Sequence, residues 1–112
     1  MDLKTITSRL DLAVCCRPDR LDAGVTGAYV GDLLSDVMAH SLPGHIWITR
    51  QTHQNTVAVA SLKDHAAIAI VQGAQPDTST LEKAAAEGIP VLVSRLQAFE
   101  LAGRLYKLLE NG

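Results

Sequence analysis

A run of six apolar residues at 66–71, AAIAIV, places the strongest constraint on what this chain can fold into. A strand with one face in water alternates apolar and polar residues, whereas a strand without polar residues is covered on both faces. Strands of this kind belong to parallel sheets that carry helices on each side. The short run from Pro90 to Ser94 has the same character. The sequence therefore predicts an α/β fold.

Strand and helix patterns alternate along the rest of the chain. The predicted strands are 12–16, 25–30, 46–49, 66–71 and 90–94, and the predicted helices are 2–10, 33–40, 55–63, 77–87 and 97–109. Asp2 is the expected cap of the first helix, and Gly88 is expected to end the fourth. The apolar side of the last helix is expected to carry Phe99, Leu101, Ala102, Leu105, Leu108 and Leu109. This order predicts a three-layer α/β/α sandwich with a mostly parallel sheet. At 112 residues we expect a single domain, 1–112, without a linker.

Charge and composition narrow the classes of partner. The net charge of -2 provides no basic surface for nucleic acid or acidic lipid. No apolar run approaches the roughly 20 residues that cross a bilayer, and the N-terminus lacks the apolar core of a signal peptide, so we expect a cytoplasmic protein. Cys15 and Cys16 are adjacent, which on a strand would place them on opposite faces. They are expected to be reduced, structural thiols.

Ligands of parallel sheets bind beyond the carboxyl ends of the strands, and three loops lie there. They are Gly31-Asp32, the seven polar residues 49–55, and residues 72–77. In the second loop, Thr52 or His53 should lie near a helix N-cap, where free N–H groups favour an anion. In the alternative interpretation Thr52 merely caps the helix and its neighbours are solvated. The candidate ligand-binding residues are Asp32, Ser35, Thr49, Gln51, Thr52, His53, Asn55 and Gly73.

Some candidates admit two roles. Asp32 could bind a ligand hydroxyl or cap the following helix. Asp36 shares a helix face with Asp32, and the pair could hold a divalent metal or simply be a solvated face. The histidines show no metal-ligand spacing, and no nucleophile elbow, P-loop or G-x-G-x-x-G is present. We expect no catalysis, no metal and no cofactor; the enzymatic alternative uses His53 as general base, oriented by Asp32 or Asp36.

Several segments resemble the DRTGG domain family over nearly the whole chain. They are GAYVGDLLSDVMAH (27–40), PGHIWITRQTHQNTVAVASLKDHAAIAIV (43–71), GIPVL and AFELAGRLYKLL. The resemblance is to the free-standing form found beside iron-only hydrogenase and redox-complex genes. It implies a fold similar to the N-terminal domain of HPr kinase and a non-catalytic homodimer. Trp47, Tyr29 and Tyr106 are the candidate interface aromatics.

The chain departs from the signature that gives the family its name. Thr52-His53 stands in place of the Asp-Arg pair, and Val71-Gln72-Gly73 in place of Thr-Gly-Gly. His45 follows Pro43-Gly44, at the position where the family usually has Asp. Gly73 is expected to take a positive φ. Because the polar loop 49–55 follows a strand of a sheet that lacks catalytic groups, we expect a homodimeric regulatory module that senses a small anionic or nucleotide ligand or docks on a redox-enzyme partner. The alternative is a pure interaction or assembly subunit.

Overall fold

The computed structural model describes residues 1–111 and contains five strands in one sheet. The strands are β1 (Ala13–Cys16), β2 (Gly27–Val30), β3 (His45–Thr49), β4 (Ala67–Ile70) and β5 (Val91–Val93). The helices are α1 (Leu3–Arg9), α2 (Leu34–His40), α3 (Asn55–Leu62), α4 (Thr78–Glu87) and α5 (Ala98–Asn111), and a 3₁₀ turn covers Pro18–Arg20. Each predicted strand and helix is present, with ends shifted by a few residues.

The strand order is β1-β5-β4-β3-β2. Strands β2 to β5 are parallel to one another, and β1 is antiparallel to β5 at the edge of the sheet. The prediction of a mostly parallel sheet in an α/β sandwich is confirmed. Because β2 to β5 run in the same direction, the loops that follow them meet at one edge, which we call the carboxyl edge.

Helices cover both faces of the sheet, and β4 shows how. Ala67 and Ala69 face the core under α1 and α5, whereas Ile68 and Ile70 face the core under α2, α3 and α4. The four side chains are fully buried. The small alanines let α1 and α5 approach the sheet, and the isoleucines fill the space on the opposite face. The prediction that residues 66–71 are covered on both sides is confirmed.

The predicted helix ends are also confirmed. Asp2 is the N-cap of α1, and its Oδ1 accepts a hydrogen bond from the Thr5 N–H at 2.9 Å. Gly88 ends α4 with φ 75°, a conformation that costs glycine nothing. Among residues 1–111, no helix is long and apolar enough to span a bilayer.

Three details of the sequence prediction are wrong. Phe99, expected on the apolar face of α5, is 91% exposed, because that helix buries the narrower stripe of Leu101 and Leu105. Trp47, a candidate interface aromatic, is fully buried in the central part of the sheet, and its Nε1 donates to the Gly31 carbonyl at 2.8 Å. The two cysteines do not lie on opposite faces. A bulge in β1 breaks the alternation, and both free thiols pack against the core under α4.

Candidate functional site

An open pocket of about 300 Å³ lies at the carboxyl edge of the sheet. The loops after β2 and β3 form its walls, and its lining residues are Asp32, Arg50, Gln51, Thr52 and His53. We call it the Arg50 pocket. A smaller space of about 100 Å³ adjoins it between the ends of β2, β3 and β4, where Ala98 begins α5. The structure therefore brings four of the predicted residues, Asp32, Gln51, Thr52 and His53, to one pocket.

Asp32 organises this pocket by joining the two loops. Its Oδ1 accepts from the Thr49 hydroxyl at 2.7 Å and from the Arg50 backbone N–H at 2.8 Å. Its carbonyl accepts from Gln51 Nε2 at 2.9 Å. The alternative in which Asp32 caps α2 is wrong, because the N-cap is Leu33 and no side chain bonds to the helix end there. The Asp32 carboxylate accepts hydrogen bonds from Thr49 and Arg50 instead.

Thr49 lies under the pocket and positions the groups above it. The side chain is 2% exposed, and its hydroxyl accepts from the Gln51 N–H at 3.2 Å while donating to Asp32. Such a hydroxyl satisfies a backbone donor two residues ahead and so fixes the turn. Thr49 therefore acts as a positioning residue for Arg50, the exposed residue between Thr49 and Gln51 in the chain.

Arg50 provides the cationic side of the pocket. Its Nε donates to Gln72 Oε1 at 2.6 Å, which ties the loop after β3 to the turn after β4. The terminal nitrogens of the guanidinium make no hydrogen bond to residues 1–111, and the side chain is exposed. A guanidinium held at Nε keeps its two outer nitrogens free for a planar, bidentate contact with a carboxylate or phosphate.

Thr52 and His53 complete the pocket without capping the next helix. The N-cap of α3 is Gln54, and no side chain bonds to the helix end, so the interpretation of Thr52 as a cap is wrong. The Thr52 carbonyl accepts from the Asp77 N–H at 3.2 Å and from the Thr80 hydroxyl at 2.7 Å. His53 Nδ1 lies 3.4 Å from Asp77 Oδ2, with both side chains largely exposed.

The remaining predicted residues do not line the Arg50 pocket. Ser35 is exposed on α2, and Asn55 is exposed at the first position of α3. Gly73 has φ +66°, as predicted, and lines a different pocket. Asp36 Oδ2 accepts from the Tyr29 hydroxyl at 2.6 Å, and Asp36 Oδ1 lies 3.1 Å from His40 Nδ1. The side chains of Asp36 and Asp32 therefore have different hydrogen-bond partners.

The sequence interpretation missed a second basic position at the same edge. Ser94-Arg95 stands at the end of β5 as Thr49-Arg50 stands at the end of β3, and in both pairs the hydroxyl residue is buried and the arginine exposed. A hydroxyl residue followed by arginine at the end of an apolar strand is a pattern that the sequence itself contains. Arg95 lines a pocket of about 690 Å³ together with Arg104 and Gly73. Gln72 was also missed, because its contact with Arg50 joins residues far apart in the chain.

The opposite, amino-terminal edge of the sheet holds the most perturbed histidine of residues 1–111. His65 is buried, its Nε2 lies 2.8 Å from the Ser41 hydroxyl, and its Nδ1 has no hydrogen-bond partner among these residues. Burial lowers the pKa of His65 to about 4, and the neighbouring His45 acts in the same direction. The ring is therefore neutral at physiological pH and packs edge-on against Trp47.

The carboxyl edge combines groups suited to holding a polar ligand. Asp32 Oδ2 accepts no hydrogen bond from residues 1–111, so it is available to a ligand hydroxyl. Arg50 faces the same space with its free guanidinium nitrogens. A carboxylate acceptor beside a cation matches a ligand that carries both hydroxyl groups and an anionic group. The pocket chemistry is that of recognition by hydrogen bonds and charge.

Comparison with known proteins gives a structural relative only. No family model matches the chain, and no curated protein matches it. A solved structure, the CBS and DRTGG domains of the regulatory region of Clostridium perfringens pyrophosphatase with its activator diadenosine tetraphosphate, matches with a TM-score of 0.71 at 16% identity. The match covers 88% of this chain and 43% of that one, so this chain spans less than half of it. This likeness shows that the chain has a DRTGG-related α/β fold.

Proposed function

We propose that this chain is a non-catalytic regulatory module that binds a small anionic or nucleotide ligand in the Arg50 pocket. The observation that carries the proposal is the hydrogen-bonded frame around Arg50. Asp32 fixes its backbone N–H, and Gln72 fixes its Nε. Binding then requires little further ordering of the loop, which favours affinity for a small ligand.

The neighbouring helix supports an anionic ligand. Helix α3 begins directly after the pocket, and its N-cap Gln54 makes no capping hydrogen bond. The Thr56 and Val57 N–H groups at this helix end already donate to the His53 and Gln54 carbonyls, at 3.1 and 3.0 Å. The helix therefore contributes mainly its dipole, which favours negative charge at the N-terminus. Arg50 and His53 add a guanidinium and an imidazole on the same side. Asp32 offers its second oxygen to a hydroxyl, as a ribose would present.

The geometry favours binding over proton transfer. The enzymatic alternative needs Asp32 or Asp36 to orient His53, but His53 contacts Asp77 and its side chain is 70% exposed. The Thr49 hydroxyl donates to Asp32 from beneath the loop. A regulatory role is further supported by the structural relative, which is part of a regulatory region and binds a nucleotide activator.

Thermal unfolding and isothermal calorimetry with AMP, ATP, orthophosphate and acetyl phosphate test this proposal. We expect the wild-type chain to be stabilised by at least one of these probes. Arg50→Gln should weaken that binding about tenfold or more, because it removes a charged donor from the anion. Arg20→Gln is the matched control, since it removes the same charge at the opposite edge. If no probe shifts the wild-type transition, the small-ligand proposal fails.

The second candidate function is a homodimeric interaction subunit, with an iron-only hydrogenase or another redox enzyme as its partner. Strand β2 is an unpaired edge of the sheet, and Val30, Phe99 and Tyr106 expose large apolar surface on β2 and α5. Exposed apolar side chains of this size are typical of interfaces. Sedimentation equilibrium of the wild type and of Tyr106→Ser tests the dimer. A monomer at all concentrations would exclude the homodimer.

The redox partner is tested separately by co-purification with a hydrogenase or dehydrogenase complex. The interaction surface would be the same carboxyl edge, so Asp32→Ala and His53→Ala should reduce the association. Ser35→Ala is a control on the exposed face of α2, away from the Arg50 pocket. Association that is unchanged in both edge variants would place the partner elsewhere.

A further inference from the structure

A second pocket lies at the other end of the carboxyl edge, and we propose that it binds a mononucleotide or a similar organic phosphate with a ring. Its volume is about 690 Å³, more than twice that of the Arg50 pocket. It lies between the turn that joins α1 to β1 and the turn that joins β5 to α5. We call it the Arg95 pocket.

Two arginines give this pocket its charge. Arg95 is exposed and makes no ion pair or side-chain hydrogen bond with residues 1–111. Arg104 Nη2 donates to Glu100 Oε2 at 2.8 Å, an ion pair that partly offsets its charge, and its other nitrogens make no hydrogen bond to residues 1–111. The acidic lining residue is Asp11. Guanidinium groups bind phosphate oxygens through paired N–H donors, so a phosphate is the anion that this lining favours.

The opposite wall of the pocket is apolar. Leu12 and Val93 are buried there, and Leu10 and Leu96 are partly buried. An apolar wall facing two arginines fits a molecule with a flat ring at one end and an anion at the other. Small-molecule sites commonly have volumes of about 300–1,000 Å³ and combine an apolar lining with a few polar groups. Orthophosphate alone would leave the apolar wall without a contact.

The backbone around Arg95 is fixed on both sides. Ser94 is 3% exposed, and its hydroxyl accepts from the Leu96 N–H at 3.1 Å. The Gly73 N–H donates to the Ser94 carbonyl at 2.8 Å, and the Gln72 N–H donates to the Leu96 carbonyl at 2.8 Å. Arg95 therefore projects from a turn that is already ordered, which lowers the entropic cost of binding.

The two pockets are separate sites, and this inference does not rest on the proposed function. The Arg95 pocket shares none of its lining residues with the Arg50 pocket. The turn after β4 lies between them, with Gln72 bonded to Arg50 and Gly73 lining the Arg95 pocket. A ligand can therefore be lost from one pocket and retained in the other.

Amide chemical shifts measured by NMR during titration with AMP test the inference. We expect AMP to shift the amides of residues 10–13 and 94–96, and Arg95→Gln to weaken that response about tenfold or more. Arg20→Gln, which removes the same charge at the opposite edge of the sheet, is the matched control and should leave that response unchanged. Shifts confined to residues 50–54, or no shifts at 10–13 and 94–96, would overturn the inference.

Two further titrations test the ligand class. Adenosine lacks the phosphate and orthophosphate lacks the ring, so each should bind the Arg95 pocket more weakly than AMP. Equal binding of orthophosphate would show that the apolar wall contributes nothing, and equal binding of adenosine would show the same for the arginines. Either result contradicts the assignment of a nucleotide-like ligand. Loss of the response at 50–54 alone concerns the proposed function and leaves this inference standing.

Discussion

Two turns at the carboxyl edge, residues 49–51 after β3 and residues 94–96 after β5, are built in the same way. Each begins with a buried hydroxyl, and Thr49 and Ser94 are 2% and 3% exposed. Each hydroxyl accepts from the N–H two residues ahead, at 3.2 Å and 3.1 Å. In both turns the residue between the hydroxyl and that N–H is an exposed arginine. The local sequence therefore forms the same hydroxyl-bonded turn at two places.

The side chains around the two turns differ, and this difference separates the two pockets. Thr49 also donates to Asp32, and Arg50 donates to Gln72, so the first turn is bonded to both neighbouring loops. The Ser94 hydroxyl has one hydrogen bond, and Arg95 has no side-chain partner among residues 1–111. The turn whose side chains bond to both neighbouring loops frames a pocket of about 300 Å³. The turn whose arginine has no side-chain partner among residues 1–111 borders a pocket of about 690 Å³. Contacts distant in sequence, more than the turn itself, shape each site.

The largest expected effect comes from pH, and it sets the conditions under which the turns must be compared. His65 has a pKa of about 4 in the fold, against 6.5 in an unfolded chain. The unfolded state binds the proton first as pH falls, so stability is complete above about pH 6.5 and decreases toward pH 4. The loss from this group reaches about 3 kcal/mol. Urea unfolding from neutral to mildly acidic pH measures it.

His65→Gln is the control for this pH dependence, because it removes the titrating group from the opposite edge of the sheet. We expect its stability to vary much less with pH over the same range. If the variant and the wild type lose stability in parallel, the acid sensitivity lies elsewhere. The two turns should then be compared at several pH values instead of only near neutrality.

The next effect compares the two hydroxyls directly. Thr49→Val should cost about 2 kcal/mol, because both the Asp32 carboxylate and the Gln51 N–H lose a partner. Ser94→Ala should cost about 1 kcal/mol, because one N–H loses its acceptor. Urea unfolding of both variants at neutral pH gives the two values. Equal costs, or a larger cost at Ser94, would contradict the view that the first turn is the more strongly bonded.

The fold was predictable from the sequence because its causes are local. Apolar runs set β4 and β5, and the caps at Asp2 and Gly88 act within their own helices. The edge that carries the pockets followed from the parallel order of the strands. Phe99 was assigned to the wrong face because helical periodicity does not say how wide a stripe the sheet will cover.

The roles of the site residues were not predictable in the same way. Asp32 and Thr52 were both interpreted as helix caps, and both bond instead to residues distant in the chain. Asp32 bonds to Thr49, 17 residues away, and the Thr52 carbonyl bonds to Thr80, 28 residues away. The order of the strands in the sheet determines which residues become such partners. A local sequence pattern does not indicate that order. Arg95 was not predicted, because its pocket is formed by segments far apart in the chain, among them those of Asp11 and Gly73.

The smallest expected effect isolates the tether on Arg50. Gln72→Ala removes the acceptor of Arg50 Nε on the surface and should change stability by less than about 0.5 kcal/mol. The Arg50 side chain should become more mobile, because nothing else in residues 1–111 holds its guanidinium. NMR order parameters of the arginine Nε groups measure this. In the wild type we expect Arg50 to be more ordered than Arg95, and in Gln72→Ala the two should be alike.

The antiparallel pairing of β1 has a consequence for the order in which the protein assembles. Ala13 pairs with Val93, and β1 has no other strand as a neighbour. During synthesis β1 therefore has no strand partner until β5 has left the ribosome, whereas β2, β3 and β4 can pair in sequence. Contacts between distant residues form slowly. Among the five strands, β1 is thus the first to be made and the last to find its partner in the sheet.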